Sequence, residues 1–266
     1  MLTASIVTFH TPDQELKECL EALQNSCVDK IIVIDNASED RIRGIAAFFD
    51  TVEYLSSTNV GYGTSHNKGI KRGEELGAEY HLVLNTDTAF KSEDIAELLR
   101  HIEAADDIAL IHPRVVDKNG DDLYTSRMLP SPFDLFIRRF LPRSFFKKRR
   151  ARYLLKHLDH DMPHDLPYHQ GSFLLMRISA LKDSGTFDER FFMYPEDIDL
   201  CRRLHAKYRT LYVPTPRIIH NHRAESYKSL NMLAIHTINI VRYFNKWGWW
   251  NDPGRKAINQ RLLPNK

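Results

Sequence analysis

The chain has 266 residues, 42% hydrophobic and 27% charged, a composition of soluble globular proteins at a length that can bury a sizeable core. A net charge of +2 excludes a global polyanion-binding character, and three cysteines (Cys19, Cys27, Cys201) without metal spacing read as reduced, intracellular thiols, not a disulfide framework. No leader-like basic and apolar segment precedes the first strand-like run, and no apolar stretch of about 18 residues occurs, so neither a signal peptide nor a membrane span is expected.

Residues 4–10 read as a short strand ending in Thr8-Phe9-His10. Asp13 can cap the next segment, where Leu16, Cys19, Leu20 and Leu23 fall at helical spacing. Residues 30–38 form a β-branched run ending in Asp35-Asn36-Ala37-Ser38. Strand, helix, strand predicts a right-handed parallel crossover with both polar ends on one sheet edge. A helix over 39–49 and a strand over 52–55 follow. The stretch from Asn59 through Gly61, Gly63 and Asn67 to Gly69 is a glycine-punctuated loop entering a helix. It suits an anion beside a helix start, and equally a plain tight turn.

Residues 80–84 then run apolar, through Leu82-Val83-Leu84, straight into Asn85-Thr86-Asp87. A buried strand ending in a carboxylate delivers it to the edge where open α/β sheets bind ligands. Asp87 reads either as a ligand for a divalent cation or as a helix cap. The arrival of Thr8, Asp35 and the glycine loop at the same edge favours the ligand.

A helix over 92–104, a strand over 109–116 and a turn over 117–121 come next. The character then changes. Residues 138–152 hold eight Lys/Arg and no acid, interleaved with Phe140, Leu141, Phe145 and Phe146. A solvated helical face explains the charge; the aromatics favour a membrane surface or a lipid diphosphate, and nucleic acid is not an expected partner. Strand character returns over 168–177. After Phe191-Phe192-Met193-Tyr194, Pro195 stands near a helix start, with Glu196, Asp197 and Asp199 crowding the first turn. Such acids are either capping groups or, beside a bound sugar, a general base. A last strand over 211–222 ends in His220 and His222, where Mn²⁺ would accept an imidazole beside a carboxylate and Mg²⁺ would prefer oxygen. Residues 229–250 read as a long amphipathic helix with three tryptophans at its end, suited to a partner subunit or a membrane surface.

In order and spacing these pieces resemble the family 2 glycosyltransferases, which have the GT-A fold, over about residues 4–226. Val7-Thr8-Phe9-His10 looks like the family's first strand end, and Val33-Ile34-Asp35-Asn36-Ala37-Ser38 like its base- and ribose-contacting segment. Asn59-x-Gly61-x-Gly63-x-x-x-Asn67-x-Gly69 matches its glycine loop. Asn85-Thr86-Asp87 stands where the family has an Asp-x-Asp-like motif, commonly Asn-Pro-Asp in this branch. Thr86 departs from the proline and Asn85 from the first aspartate, which leaves Asp87 as the direct metal ligand. Gly171-Ser172-Phe173 looks like the acceptor-side strand, and Glu196-Asp197-x-Asp199-Leu200-Cys201-x-Arg203 like the Glu-Asp motif. The resemblance puts the catalytic base at Asp197 with Glu196 beside it. His220 falls where the family often has a metal- or phosphate-contacting histidine. The wording of the Glu-Asp segment is similar to that of bacterial rhamnosyltransferases of O-antigen and cell-wall polysaccharide assembly.

The resemblance implies an α/β fold with a mostly parallel central sheet flanked by helices. It divides into a Rossmann-like nucleotide-binding half (1–116), an acceptor and catalytic half (117–225) and a C-terminal amphipathic helical extension (226–266). It implies inverting transfer of a sugar, rhamnose as first choice, from a dTDP-, UDP- or GDP-linked donor to a glycan or lipid-diphosphate-linked acceptor. Mg²⁺ or Mn²⁺ would sit on Asp87 and His220. Thr8, Phe9, Asp35, Asn36, Ser38, Asn59, Gly61, Gly63, Asn67, Asn85 and Thr86 would hold the donor, and Gly171, Ser172 and Asp199 would face the acceptor. The expected location is cytoplasmic, with peripheral contact at the inner membrane and homodimerisation both open. Two rivals remain. A nucleotidyltransferase should show a basic, glycine-rich first loop, which residues 8–16 lack. A non-catalytic polysaccharide- or membrane-binding module would use the basic aromatic stretches alone.

Overall fold

The computed structural model describes residues 1–142, 144–221 and 230–264. In chain order it contains β1 (Leu2–Thr8), α1 (Asp13–Gln24), β2 (Lys30–Asp35), α2 (Asp40–Ala46), β3 (Val52–Ser56), α3 (Tyr62–Glu75), β4 (Tyr80–Leu84), β5 (Thr88–Ala89), α4 (Ser92–Glu103), β6 (Ile108–Val116) and β7 (Ser126–Arg127). Then follow α5 (Pro132–Phe140), α6 (Lys147–Tyr153), β8 (His164–Asp165), β9 (Tyr168–His169), β10 (Phe173–Arg177), α7 (Ile178–Ser184), α8 (Glu196–His205), β11 (Arg209–His220), α9 (Leu230–Trp247) and α10 (Pro253–Arg261).

The main sheet has the order β3-β2-β1-β4-β10-β6-β11-β5, with β8 also paired to β11. The strands β3, β2, β1 and β4 are parallel neighbours, as are β6 and β11, and β10 runs antiparallel between β4 and β6. All the long strands other than β10 therefore point one way, and their carboxyl ends share an edge. Register places Thr8 opposite Asp35 and Ile6 opposite Leu84, so the polar segments after β1, β2 and β4 emerge side by side.

Strand side chains alternate between two cores, as a pleat requires. Ala4, Ile6, Leu82, Leu84, Phe173 and Leu175 pack against Leu16, Leu20, Ile42, Leu98 and Ile102 of α1, α2 and α4. Val83, Leu174 and Met176 pack against Ile70, Leu181, Leu200 and Leu204 of α3, α7 and α8. On that second face β1 presents Thr3 and Ser5 instead of apolar residues. They hydrogen-bond His81, which bridges them at 2.8 Å on each ring nitrogen, and Ser5 also meets His66 Nδ1 at 2.7 Å. Helix α3 reaches them because Gly69 and Gly73 lie over Ser5 and Thr3: an added Cβ would stand 2.4 Å from Ser5 Cβ and 2.4 Å from Thr3 Oγ1.

Three expectations change. The strand over 168–177 is two pieces: β9 pairs with β7 in a separate two-stranded sheet, and β10 begins only after the Gly171-Ser172 break. The 39–49 helix is shorter, spanning Asp40–Ala46. The tail helix begins, within the described residues, at Leu230 and stops at Trp247. There Gly248 adopts φ +98° and returns its N–H to the Phe244 carbonyl at 2.8 Å, and α10 follows. These C-terminal helices share a core with the 129–198 region, because Tyr243 and Phe244 pack with Leu129, Tyr168, Phe191 and Ile198. His222 lies outside the described residues. Among those that are described, no helix is long and apolar enough to cross a membrane.

Candidate active site

The site begins at the carboxyl ends of β1 and β2. Asp35 is buried, and its carboxylate accepts Thr8 Oγ1 (3.2 Å), the Ala37 and Glu39 N–H groups (3.1 and 2.6 Å) and the Tyr54 hydroxyl (3.0 Å). It therefore shapes the turn into α2, while the turn itself meets solvent. Asn36 accepts from Ser65 Oγ at 2.8 Å and leans toward Asn59 Oδ1, which also accepts the Gly61 N–H at 3.3 Å. Ser38 takes φ +54° and bonds the Ser56 hydroxyl and the Ser57 carbonyl (2.8 and 3.0 Å). Phe9 and Asn59 are exposed on the rim. Of the residues expected at the donor, Thr8, Asp35 and Asn36 are the buried frame and Phe9 and Asn59 are the reachable surface.

The segment after β4 is held from three sides. Asn85 N–H reaches the Ser172 carbonyl (3.0 Å), Thr86 Oγ1 donates to Glu15 of α1 (2.5 Å), and the Asp87 carbonyl accepts the Asn221 N–H (2.9 Å). Strand β5 then pairs Thr88 with His220. This pairing brings Asp87 Oδ1 to 3.1 Å from His220 Nε2, although the two residues are far apart in the sequence. Two adjacent ligands of an octahedral ion, each about 2.1 Å from it, stand about 3 Å apart, so the pair fits two positions of a divalent cation. Carboxylate with imidazole suits Mn²⁺ and admits Mg²⁺. No cluster of three or more His, Cys, Asp or Glu able to hold a metal occurs among the described residues, so further ligands would have to come from substrate and water.

The glycine loop does something the sequence does not announce. Gly61 has φ +96°, and a Cβ there would lie 2.2 Å from the Phe192 carbonyl oxygen; a Cβ on Gly63 would meet Phe187 at 2.9 Å and Glu196 at 3.2 Å. Asn67 clasps Phe187 through both backbone groups, Nδ2 to O at 2.9 Å and N to Oδ1 at 3.0 Å. Gly61, Gly63 and Asn67, expected at the donor, thus bind the start of α3 to the 187–192 segment. At this junction the backbones touch, the Tyr62 N–H reaching the Phe192 carbonyl.

Tyr62, which sequence reasoning did not single out, occupies that junction. Its N–H donates to the Phe192 carbonyl (2.9 Å), and its hydroxyl lies 2.7 Å from the Gly171 carbonyl oxygen and 2.9 Å from Asn85 Oδ1. Burial first, then the charges of Glu196, Asp197 and Asp87, hold its phenol well above the usual range. An aromatic residue directly after a glycine at a helix start was the only signal available.

The acidic helix start is buried. Asp197 Oδ2 accepts the Gly171 N–H at 3.1 Å and lies 3.4 Å from the Tyr168 hydroxyl, and Oδ1 accepts the Ile198 N–H at 2.8 Å. These donors and the helix amino end favour a negative charge there. Glu196 is pushed up to about 8, by burial first and by the Asp197 charge second. Its Oε2 and the buried Ser172 Oγ have no hydrogen-bond partner among the described residues. Asp199 does not face an acceptor. It is fully buried and binds Arg203 Nε (2.9 Å), Trp247 Nε1 (2.7 Å) and Lys246 Nζ (2.7 Å), which makes it the anchor of the C-terminal helices.

Residues 4–185 match the Glycosyl transferase family 2 family. The chain is 28% identical over 280 residues to N-acetylglucosaminyl-diphospho-decaprenol L-rhamnosyltransferase of Mycobacterium tuberculosis, covering 97% of this chain and 89% of that protein. It is 29% identical over 226 residues to rhamnosyltransferase WbbL of Escherichia coli K12, covering 81% of each. In fold it is similar to the crystal structure of GalNAc-T7 with UDP, GalNAc and Mn²⁺, with a TM-score of 0.67 at 15% identity over 92% of this chain, which spans 48% of that structure. The chain is a glycosyltransferase of family 2 with the GT-A fold.

Proposed function

We propose that the chain moves a hexosyl unit, rhamnose first, from a dTDP-, UDP- or GDP-linked sugar to a glycan or lipid-diphosphate-linked saccharide, with inversion. One observation carries this reading. The Asp87–His220 pair and the Glu196–Asp197 pair stand at the two ends of one short path through Asn85, Tyr62 and Gly171. A direct displacement needs a leaving-group site and a base held at fixed separation in this way. The names of the two rhamnosyltransferase relatives support the sugar, and that of the mycobacterial relative supports a lipid-diphosphate acceptor. Work on such an acceptor would bring the chain to the cytoplasmic face of the membrane.

Asp197 takes the proton of an acceptor hydroxyl. The hydroxyl oxygen attacks the anomeric carbon from the face opposite the diphosphate, and the nucleoside diphosphate leaves with the electron pair. Burial and the neighbouring Asp197 charge favour the neutral form of Glu196. Ser172 Oγ and Glu196 Oε2 are buried behind this site without a hydrogen-bond partner among the described residues. Phe9, Ser38 and Asn59 border the base and ribose over the frame of Thr8, Asp35 and Asn36, and Asn85 and Thr86 aim Asp87. Mg²⁺ or Mn²⁺ on Asp87 and His220 would supply the positive charge that stabilises the departing diphosphate.

Thermal shift with dTDP-, UDP- and GDP-sugars in the presence of Mn²⁺ selects the donor, and turnover with it should release nucleoside diphosphate. Asp197→Asn should keep the donor-induced shift and lose about 10²–10⁴-fold in turnover. Pyrophosphate as product would replace sugar transfer by nucleotidyl transfer, and undiminished turnover in the variant would remove Asp197 as the base.

A further inference from the structure

The α5–α6 pair has a fastened inner side and an exposed outer one. Leu135 packs into the core that holds Phe191 and Ile198, and Ile137 is also buried. Arg150 donates to the carbonyls of Ile137 and Leu141 at 2.7 Å each, tying α6 to the end of α5. Arg149 pairs with Asp134 at 2.7 Å and lies over the Phe133 ring at 4.9 Å. Facing outward are Phe145 (55% exposed) and Phe146 (48%), followed by exposed Lys147 and Lys148, with Phe136 half exposed on α5.

Solvated protein faces normally mix both signs of charge and keep phenylalanine in. Here bulky apolar rings stand out of the fold inside a stretch, 138–152, of eight cations and no acid. A nucleic acid would meet the charge but leave these rings without an apolar phase. A bilayer with anionic headgroups meets both, offering phosphate to the lysines and the acyl boundary to the phenylalanines. We propose that the outer face of α5–α6 docks the chain on an anionic lipid bilayer. The inference deepens, and rests on, the reading of a lipid-linked acceptor. The root of the patch packs beside Ile198, next in sequence to Asp197, so docking would bring the acceptor side of the site to the lipid surface.

Co-sedimentation of the full chain with vesicles tests this without donor or acceptor. Vesicles of phosphatidylcholine with phosphatidylglycerol should retain the protein, and phosphatidylcholine alone should not. Each basic side chain near such a surface is worth about fivefold in binding, so Lys147→Glu with Lys148→Glu should lower it about 30-fold or more. Phe145→Ser with Phe146→Ser should abolish whatever binding survives high salt, because only the apolar part escapes screening. All four side chains are exposed, and unchanged thermal unfolding of the variants confirms their fold. Equal retention by both vesicle types, or wild-type retention of either variant, overturns the proposal. So does conversion of a dimer to a monomer by the phenylalanine variant with vesicle binding intact, which would make the patch a contact between copies. Sugar transfer to a soluble acceptor without vesicle binding refutes docking alone; vesicle binding without any transfer refutes the function and leaves docking standing.

Discussion

At the scale of single residues, adjacent carboxylates have been given different jobs by their surroundings. Asp197 meets the Gly171 and Ile198 N–H groups, whereas Glu196 Oε2 meets no described donor in a buried setting. Glu196 is therefore neutral in the folded protein up to about pH 8 but ionises at its ordinary value, 4.5, when unfolded. Between those values the native state holds the extra proton. The stability linked to this group is fully present below pH 4.5 and is lost as pH rises through about 8. Glu196→Gln keeps the shape and removes the titration. Its melting temperature relative to wild type should climb from pH 5 to pH 8 and then level off; a difference independent of pH would mean that Glu196 is not buried in its neutral form. The carboxylates themselves were legible, since strand ends and a helix start mark Asp87 and Asp197. The true partners of Asp199 and Asn67 were not. Trp247 and Phe187 are remote in the chain, and nothing local shows that Asp199 is tied to α9 while its neighbour Asp197 is tied to Gly171.

At the scale of elements, packing decides whether a helical glycine is a weakness or a requirement. Glycine in a helix interior is worse than alanine by about 1 kcal/mol from propensity alone. Gly44 of α2 has open space where a Cβ would go, so Gly44→Ala should stabilise by up to about 1 kcal/mol. Gly69 of α3 lies on Ser5 of the central strand β1, which cannot withdraw, and the added methyl would sit 2.4 Å from Ser5 Cβ. Overpacking of this kind costs about 1–3 kcal/mol, so the same substitution should there change sign. Chemical denaturation of both variants checks the pair, and a stabilised Gly69→Ala would show that α3 stands off the sheet. Most strands and helices of residues 2–116 were readable, because β2 and β4 are near-continuous apolar runs ending in polar residues and α1 and α4 carry a period near four. The α5–α6 region was not. Its phenylalanines and cations follow no single buried face, since Leu135 and Ile137 turn inward while Phe136, Phe145 and Phe146 are exposed. The break at Gly171-Ser172 escaped because Tyr168 and His169 before it have strand character, as do Phe173 to Met176 after it, and the Gly171 N–H turns to Asp197 between them.

At the scale of the whole molecule, α8, which carries Glu196 and Asp197, is held from both sides. Leu200 and Leu204 of α8 lie in the core under the sheet, while Ile198 lies in the core shared with Tyr243 and Phe244 of α9. The C-terminal helices, which the sequence marks as an amphipathic extension, thus complete the wall behind Asp197. Their attachment is polar as well as apolar. Arg202 grips Asp252 through both guanidinium nitrogens at 2.7 and 2.6 Å, with both side chains buried, and its plane lies 4.0 Å from the Trp247 ring. Asp252 also starts α10, accepting the Arg255 N–H at 2.9 Å. Buried pairs of this kind are poor net stabilisers but costly to halve, because the remaining ion has lost its water and its partner. Asp252→Ala should therefore destabilise by about 3–5 kcal/mol, part of it from the lost helix cap. Adding Arg202→Met removes the stranded cation and should recover more than half of that loss, since methionine can fill the space against Trp247. Urea denaturation of the two variants separates the contributions. A single variant that loses less than about 1 kcal/mol would mean that water reaches Arg202, and that the C-terminal helices are held to α8 by their apolar contacts and by the Asp199 bonds to Trp247 and Lys246.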